Sequence, residues 1–320
     1  MKKKTAIIVM TAYFVVFSQN FQLIPSLIES GSVVNNTFFN AAAAYPANPS
    51  SMSLNPSAPA MWHYFTEGTM SVFSSYDSRY TTAYNTGGGV SVAIGSGKYI
   101  GAEYGVIKDN NANIRSHRTT VAFGTIIDDN HDDMLFVGAN ISHHFQKADT
   151  TDNVLVADIG FYQPGDGTGF SWGVVLENIF GYHWSSGEER KYNDIMNKRY
   201  NSILVSSNLS LPLLDEKLIL MAPFDVRFWG FMNRDLRKSS SLKHRTEVHG
   251  GFEAQYNQVI SGRFGWAWIP DAYKTDENGQ LNYTGWENRF SGGFGINIKR
   301  IFIDGYLAKN AWGAGFALLI

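Results

Sequence analysis

The chain has 320 residues, 26 basic against 28 acidic side chains, a net charge of −2 and no cysteine. With no basic tract beyond its first residues it excludes nucleic acid as a partner, and without cysteine it must be held by pairing and packing alone. Apolar residues make up 44% of it, aromatics 14%, and the mean hydropathy is −0.17; no apolar run reaches the roughly 18 residues of a spanning helix, which excludes a helical membrane bundle and suits a β-barrel with one lipid face and one wet or packed face.

From the front, Met1–Lys4 is basic, 6–17 is an apolar run and 18–20 is polar. That order predicts a secretory signal peptide over residues 1–20, cut between Ser18 and Phe21 and too short to span as a helix. Residues 21–67 follow. From Ser30 to Glu67 they do not alternate, and the Ala-rich run at 41–44 leads into Asn48-Pro49 and Asn55-Pro56, pairs that start turns. Such backbone cannot lie in lipid with its polar groups unpaired. It belongs in a lumen or in the periplasm and is read as a plug or hatch.

Residues 68–320 alternate with period two, in segments of the length that crosses a bilayer as a tilted strand. Fourteen strands are expected, near 69–76, 89–93, 99–107, 119–127, 135–143, 154–162, 170–180, 202–210, 218–228, 246–256, 260–269, 288–298, 301–308 and 312–320. The clearest puts Phe290, Phe294, Ile296 and Ile298 on one face and Ser291, Gly293, Gly295 and Asn297 on the other. Connections between the strands alternate long and short; only the last long position, 309–311, breaks the rhythm. An all-β, transmembrane, antiparallel up-and-down barrel of a bacterial outer membrane follows, with both termini periplasmic and the long loops outside.

Several strands place a charge opposite their apolar set. Asp158, Glu177, Asp225, Arg227, Glu253, Arg263 and Asp304 all do so. A charge on the lipid face costs about 2–4 kcal/mol at mid-membrane, so these seven are expected to form a polar network in the lumen. Glu253 and Arg263 should sit opposite each other across a turn at 257–259, with Phe252 and Phe264 paired outside. The plainer reading of this pair is a structural ion bridge filling a narrow interior.

Metal chemistry finds little support. The acidic run 128–133 lacks the glycine and the later acid of a calcium loop, and His143-His144 points one ring to each face. No nucleophile elbow, Walker loop or zincin motif occurs, so neither an enzyme nor a cofactor is expected. Ser186 and Glu189 read as a capping box opening a short surface helix. Trp184, Trp268, Tyr273, Tyr283 and Trp286 cluster near the expected outer loops, as girdle residues do.

Ordered pieces of the chain resemble one known group. The Ala-rich run with Asn55-Pro56-Ser57-Ala58-Pro59-Ala60, then Asp158-Ile159-Gly160-Phe161, Gly173 to Asn178, Gly251-Phe252-Glu253 with Arg263-Phe264-Gly265-Trp266, and Gly292-Gly293-Phe294-Gly295 with Asp304-Gly305-Tyr306 resemble the FadL-like outer-membrane proteins and their PorV/PorQ relatives. Ser57 and Pro59 depart from that group's usual Ala and Leu, and Ile320 from its usual aromatic end. The resemblance implies a barrel with an N-terminal hatch. It implies passive uptake or binding of hydrophobic, long-chain fatty-acid-like molecules, an accessory part in protein secretion and surface attachment (the PorV role), or a structural outer-membrane protein. The partners are then membrane lipid and a hydrophobic ligand or secretion proteins, with the chain a monomer.

Overall fold

The computed structural model describes residues 43–44, 51–77, 83–109, 114–128, 134–147, 151–165, 169–186, 201–229, 246–270, 274–275, 281–282 and 286–320. The expected signal peptide, Asn48, Pro49, most of the acidic run, Glu189, Tyr273 and Tyr283 lie outside these residues.

Fourteen strands close into one antiparallel barrel. They are β1 (Gly68–Asp77), β2 (Ala83–Gly95), β3 (Lys98–Asp109), β4 (Ile114–Asp128), β5 (Leu135–Lys147), β6 (Thr151–Gln163), β7 (Phe170–Ser186), β8 (Ser202–Leu213), β9 (Leu218–Trp229), β10 (Thr246–Tyr256), β11 (Ile260–Pro270), β14 (Trp286–Ile298), β15 (Ile301–Ala308) and β16 (Ala311–Leu319). The two-residue strands β12 (Lys274–Thr275) and β13 (Leu281–Asn282) form a separate ladder within the connection from β11 to β14. Each barrel strand pairs with its chain neighbours, and β1 pairs with β16 to close the ring, Thr69 facing Leu319 and Asp77 facing Ala311.

The period of two sorts the side chains into opposite environments. On β1, Thr69, Ser71, Phe73 and Ser75 are buried inside, while Met70 and Val72 are exposed outside. On β4, Arg118, Thr120 and Ala122 are buried, while Val121 and Phe123 are exposed. Polar groups inside and apolar groups outside invert the pattern of a water-soluble domain, and suit hydrocarbon around the barrel. Val121→Arg should therefore cost about 2–4 kcal/mol in a bilayer, measured by denaturant unfolding from lipid vesicles. An unchanged midpoint would mean that this face does not meet lipid.

All fourteen expected strands occur, but several are longer than expected. β2 begins at Ala83 rather than near Gly89, because the stretch through Gly87 and Gly88 reads as a loop. They belong to the wall: a Cβ on Gly87 would lie 2.7 Å from the Phe73 ring and 2.8 Å from the Gly105 backbone. β4 likewise starts at Ile114, in a stretch whose charges suggested a loop. Ser186 closes β7 paired with Thr151, and the short helix expected after it lies outside the described residues. The long-and-short rhythm therefore holds only in the second half of the chain, where the long connections are 187–201, 230–245 and 271–285. We call the rim that carries them the loop rim. The other, with tight turns such as that between Tyr256 and Ile260, is the turn rim.

Candidate functional site: the barrel lumen

The lumen is occupied by the chain itself. A 3-10 turn (Ser51–Ser53) and a short helix α1 (Ala58–Trp62), with residues 43–44, pack against the inner wall of β3 to β7. The wall is shaped for them. Gly124 on β4, Gly138 on β5 and Gly160 on β6 are direct cross-strand neighbours, so they make a row without side chains. Pro56 lies on that row. A Cβ on Gly138 would collide with the Pro56 carbonyl, and one on Gly160 with the Asn55 side chain and, at 2.9 Å, with the Pro56 ring.

Backbone outside a sheet must still have its polar groups satisfied. Here the strands supply the partners. Tyr99 donates to the Pro56 carbonyl at 2.6 Å, Asn140 to Met52 O at 3.1 Å and Ser171 to Ala44 O at 2.9 Å, while Ser206 Oγ accepts from Ala44 N at 2.8 Å. Asn55 is fully buried. Its Nδ2 donates to Ala43 O at 2.7 Å and to Phe161 O at 3.3 Å; its Oδ1 accepts from Ser57 N at 3.1 Å and Ser57 Oγ at 2.7 Å. Asparagine offers two donors and an acceptor with two lone pairs, and all four are used. Apolar contact adds to this: Met52, Ala60 and Ala44 join Tyr99, Ala122, Phe136 and Tyr162 in one cluster.

After α1, the His63 ring stacks on Tyr99 with centroids 5.5 Å apart, and His63 Nε2 meets Ser91 Oγ at 2.7 Å. Burial holds the His63 imidazole below its ordinary value of 6.5. A depressed folded value means that, as pH falls through about 6.5, the unseated form takes up a proton before the seated one. The seat is then fully stable above about pH 6.5 and weakens on acidification. Thiol labelling of a Met61→Cys variant should speed up below that pH, and His63→Gln should flatten the dependence. A labelling rate that does not change between pH 7.5 and 5 in the His63 protein would refute this.

Among the described residues, most of the buried charges form three groups. Arg263 Nε donates to Glu253 at 2.8 Å and its Nη1 reaches Asp304 at 2.5 Å. Glu253 and Arg263 are register partners, with Phe252 and Phe264 paired outside. Asp304 is two strands away, and Arg263 reaches it across Gly295, where a Cβ would lie 2.6 Å from Arg263 Nη2 and 2.8 Å from Asp304 Oδ1. In the second group, Arg227 donates to Glu177 at 3.0 Å and stands 3.6 Å from Glu247, whose Oε2 is 3.7 Å from His249 Nε2. Ser202 also donates to Glu177. The third is Arg118 with Glu103 at 2.6 Å. Among the described residues Asp158 and Asp225 belong to no ion pair: Asp158 accepts from Asn178 N at 2.7 Å, and Asp225 from Ser206 Oγ.

Four members of these charged groups, Glu103, Arg118, Glu247 and His249, were not anticipated. Glu103 lies between outward-facing Ala102 and Tyr104, the same signal that marked the other seven. Arg118 and Glu247 stood in stretches read as a loop or a strand end, where alternation gives no face. Among the described residues no cluster of three His, Asp or Glu side chains could hold a metal. At the loop rim the Trp268 and Trp286 rings meet with centroids 4.2 Å apart, tilted by 32°.

A closed fourteen-stranded antiparallel barrel, apolar outside and polar and filled within, is the build of an outer-membrane barrel protein. Its fold is that of the FadL-like barrels. The P. putida toluene transporter TodX superposes with a TM-score of 0.53 at 8% identity, over 92% of this chain and 99% of that one. The CymD monoaromatic hydrocarbon channel gives 0.54 at 10%, over 91% and 96%. A Pseudomonas aeruginosa FadL homologue gives 0.52 at 11%, over 94% and 98%. No family model and no curated protein matches the chain.

Proposed function

We propose that this chain is an outer-membrane channel for the passive entry of hydrophobic small molecules, long-chain fatty acids foremost. The termini and the turn rim face the periplasm and the loop rim faces outward. Residues 21–67 act as the hatch, and the charged lumen side chains keep the wall in shape instead of meeting the ligand. The observation that carries the reading is the seated segment: a stretch of non-sheet chain fills the lumen, tied to the wall by single hydrogen bonds, each worth about 1 kcal/mol net. Such an occupant can leave while the barrel stays closed. The shared fold with a toluene transporter and a monoaromatic hydrocarbon channel supports it.

Native mass spectrometry of the gently extracted protein tests this. The expected result is a monomer carrying fatty acid or another apolar molecule, and faster uptake of labelled oleate by vesicles containing the protein than by empty ones. An empty lumen together with a stable complex with large exported proteins would replace it with the secretion role of the PorV branch.

A further inference from the structure

Three cations stand in one cross-strand row on the outside of the barrel. Lys108 on β3 pairs with Arg115 on β4, and Arg115 with Lys147 on β5, and all three are exposed. Their direction follows from alternation: Tyr104, Val121 and Ile141 point outward on the same strands, each an even number of residues away. The row's own flanking partners are Tyr84 and Thr151, so no carboxylate stands beside it in register. Among the described residues no ion pair involves any of the three. Like charges directly opposite each other destabilise a sheet, so a row of three calls for an anion from outside the chain.

The position of the row says where that anion comes from. It lies at the loop rim and continues through Tyr84 and Tyr76 to Trp312, whose rings follow at 5.0 and 6.2 Å. Aromatic residues of this kind mark the boundary between hydrocarbon and headgroups. Directly below, toward mid-membrane, the outer wall is hollowed into a furrow of about 690 Å³ lined by Val72, Ser74, Thr86, Gly88, Val106 and Phe316. Ser74 and Thr86 bond each other at 3.2 Å, so one of the pair's two hydroxyl protons is used within it. Val106 is the next outward residue after Lys108 on β3, so furrow and cations adjoin.

We propose that this face binds a phosphorylated glycolipid of the outer leaflet, its phosphates on Lys108, Arg115 and Lys147 and an acyl chain in the furrow. Strands are about 4.8 Å apart, so the row spans roughly 10 Å, room for more than one phosphate. Arg115, at the centre, offers a fork that matches two oxygens of one phosphate. The choice of leaflet rests on the orientation proposed above.

The full chain in detergent is titrated with hexa-acylated diphosphoryl lipid A and followed by native mass spectrometry. Retention of the lipid is expected, with at least tenfold weaker retention of its dephosphorylated form and of the intact lipid by K108Q/R115Q/K147Q. Millimolar inorganic phosphate should not displace it. Equal retention of the dephosphorylated lipid, or undiminished retention by the triple variant, overturns the proposal, as does a preference for phosphatidylglycerol or displacement by inorganic phosphate. If the triple variant does not fold, R115Q alone should still weaken retention several-fold, and no change there is equally decisive. Surface labelling of a cysteine placed within 230–245 on whole cells tests the orientation by itself; labelled cells without lipid A retention would reject this inference and leave the orientation standing.

Discussion

Gly138→Val is expected to unseat the N-terminal segment and raise single-channel conductance several-fold in planar bilayers. The new side chain would enter the space of the Pro56 carbonyl, and its Cβ would lie 2.6 Å from Ser57 N. Both are backbone atoms, so no flexible side-chain end can swing away. Pro56 cannot shift alone either, because its carbonyl is held by Tyr99 and the adjoining Asn55 by four hydrogen bonds. The wall should tolerate the change, since β-branched residues favour strands. Gly262→Val is the control: nothing lies within 4 Å of a Cβ added there, and conductance should stay at the parent level. If the Gly138 variant conducts no better than the parent, the segment does not block the lumen.

Arg263→Met should destabilise the barrel by about 3–5 kcal/mol, read from denaturant unfolding in lipid vesicles. The guanidinium is buried between Glu253 and Asp304, and its removal leaves two carboxylates without their cation in a site closed to water. The triple change with Glu253→Gln and Asp304→Asn should recover most of the loss, because the uncompensated charge causes it and not the missing bulk. Arg263→Lys should recover only part, as one ammonium cannot reproduce a fork that serves both acids. A loss under about 1 kcal/mol in the Met variant would mean that the site is wetter than its burial implies. Oleate uptake by the folded triple variant separates a structural part from ligand contact: the structural reading expects the parent rate.

What could be read from the chain beforehand follows from how local each feature is. Lipid outside and a packed interior force period two on every strand, so the strand set was legible. Glu253 and Arg263 could be paired by counting back from their tight turn. The third member, Asp304, could not, because the long connection before β14 hides the register and the contact crosses an intervening strand at Gly295. The glycine row is a similar case. Gly124, Gly138 and Gly160 each look like a weak point in a strand, and their shared purpose emerges only when two registers place them side by side under Pro56. Gly87 and Gly88 misled for the opposite reason: composition favours a turn, but the close approach of Phe73 and Gly105 to Gly87, and of the Ser71 backbone to Gly88, makes them the residues that fit the wall there.

The seam between β1 and β16 bears on the order of assembly. Thr69 pairs with Leu319, and Glu67 N with Ile320 O, so closure joins residues from the two ends of the barrel segment. The entropy of bringing such distant partners together makes this the slowest pairing to find, whereas β3 to β6 are successive hairpins with short connections. The glycine row is complete once those hairpins exist. The N-terminal segment can thus bind an open, curved sheet, and the ring then closes around it. No threading through a finished pore is required, and a chain whose seam is kept apart should already protect Asn55 from hydrogen exchange.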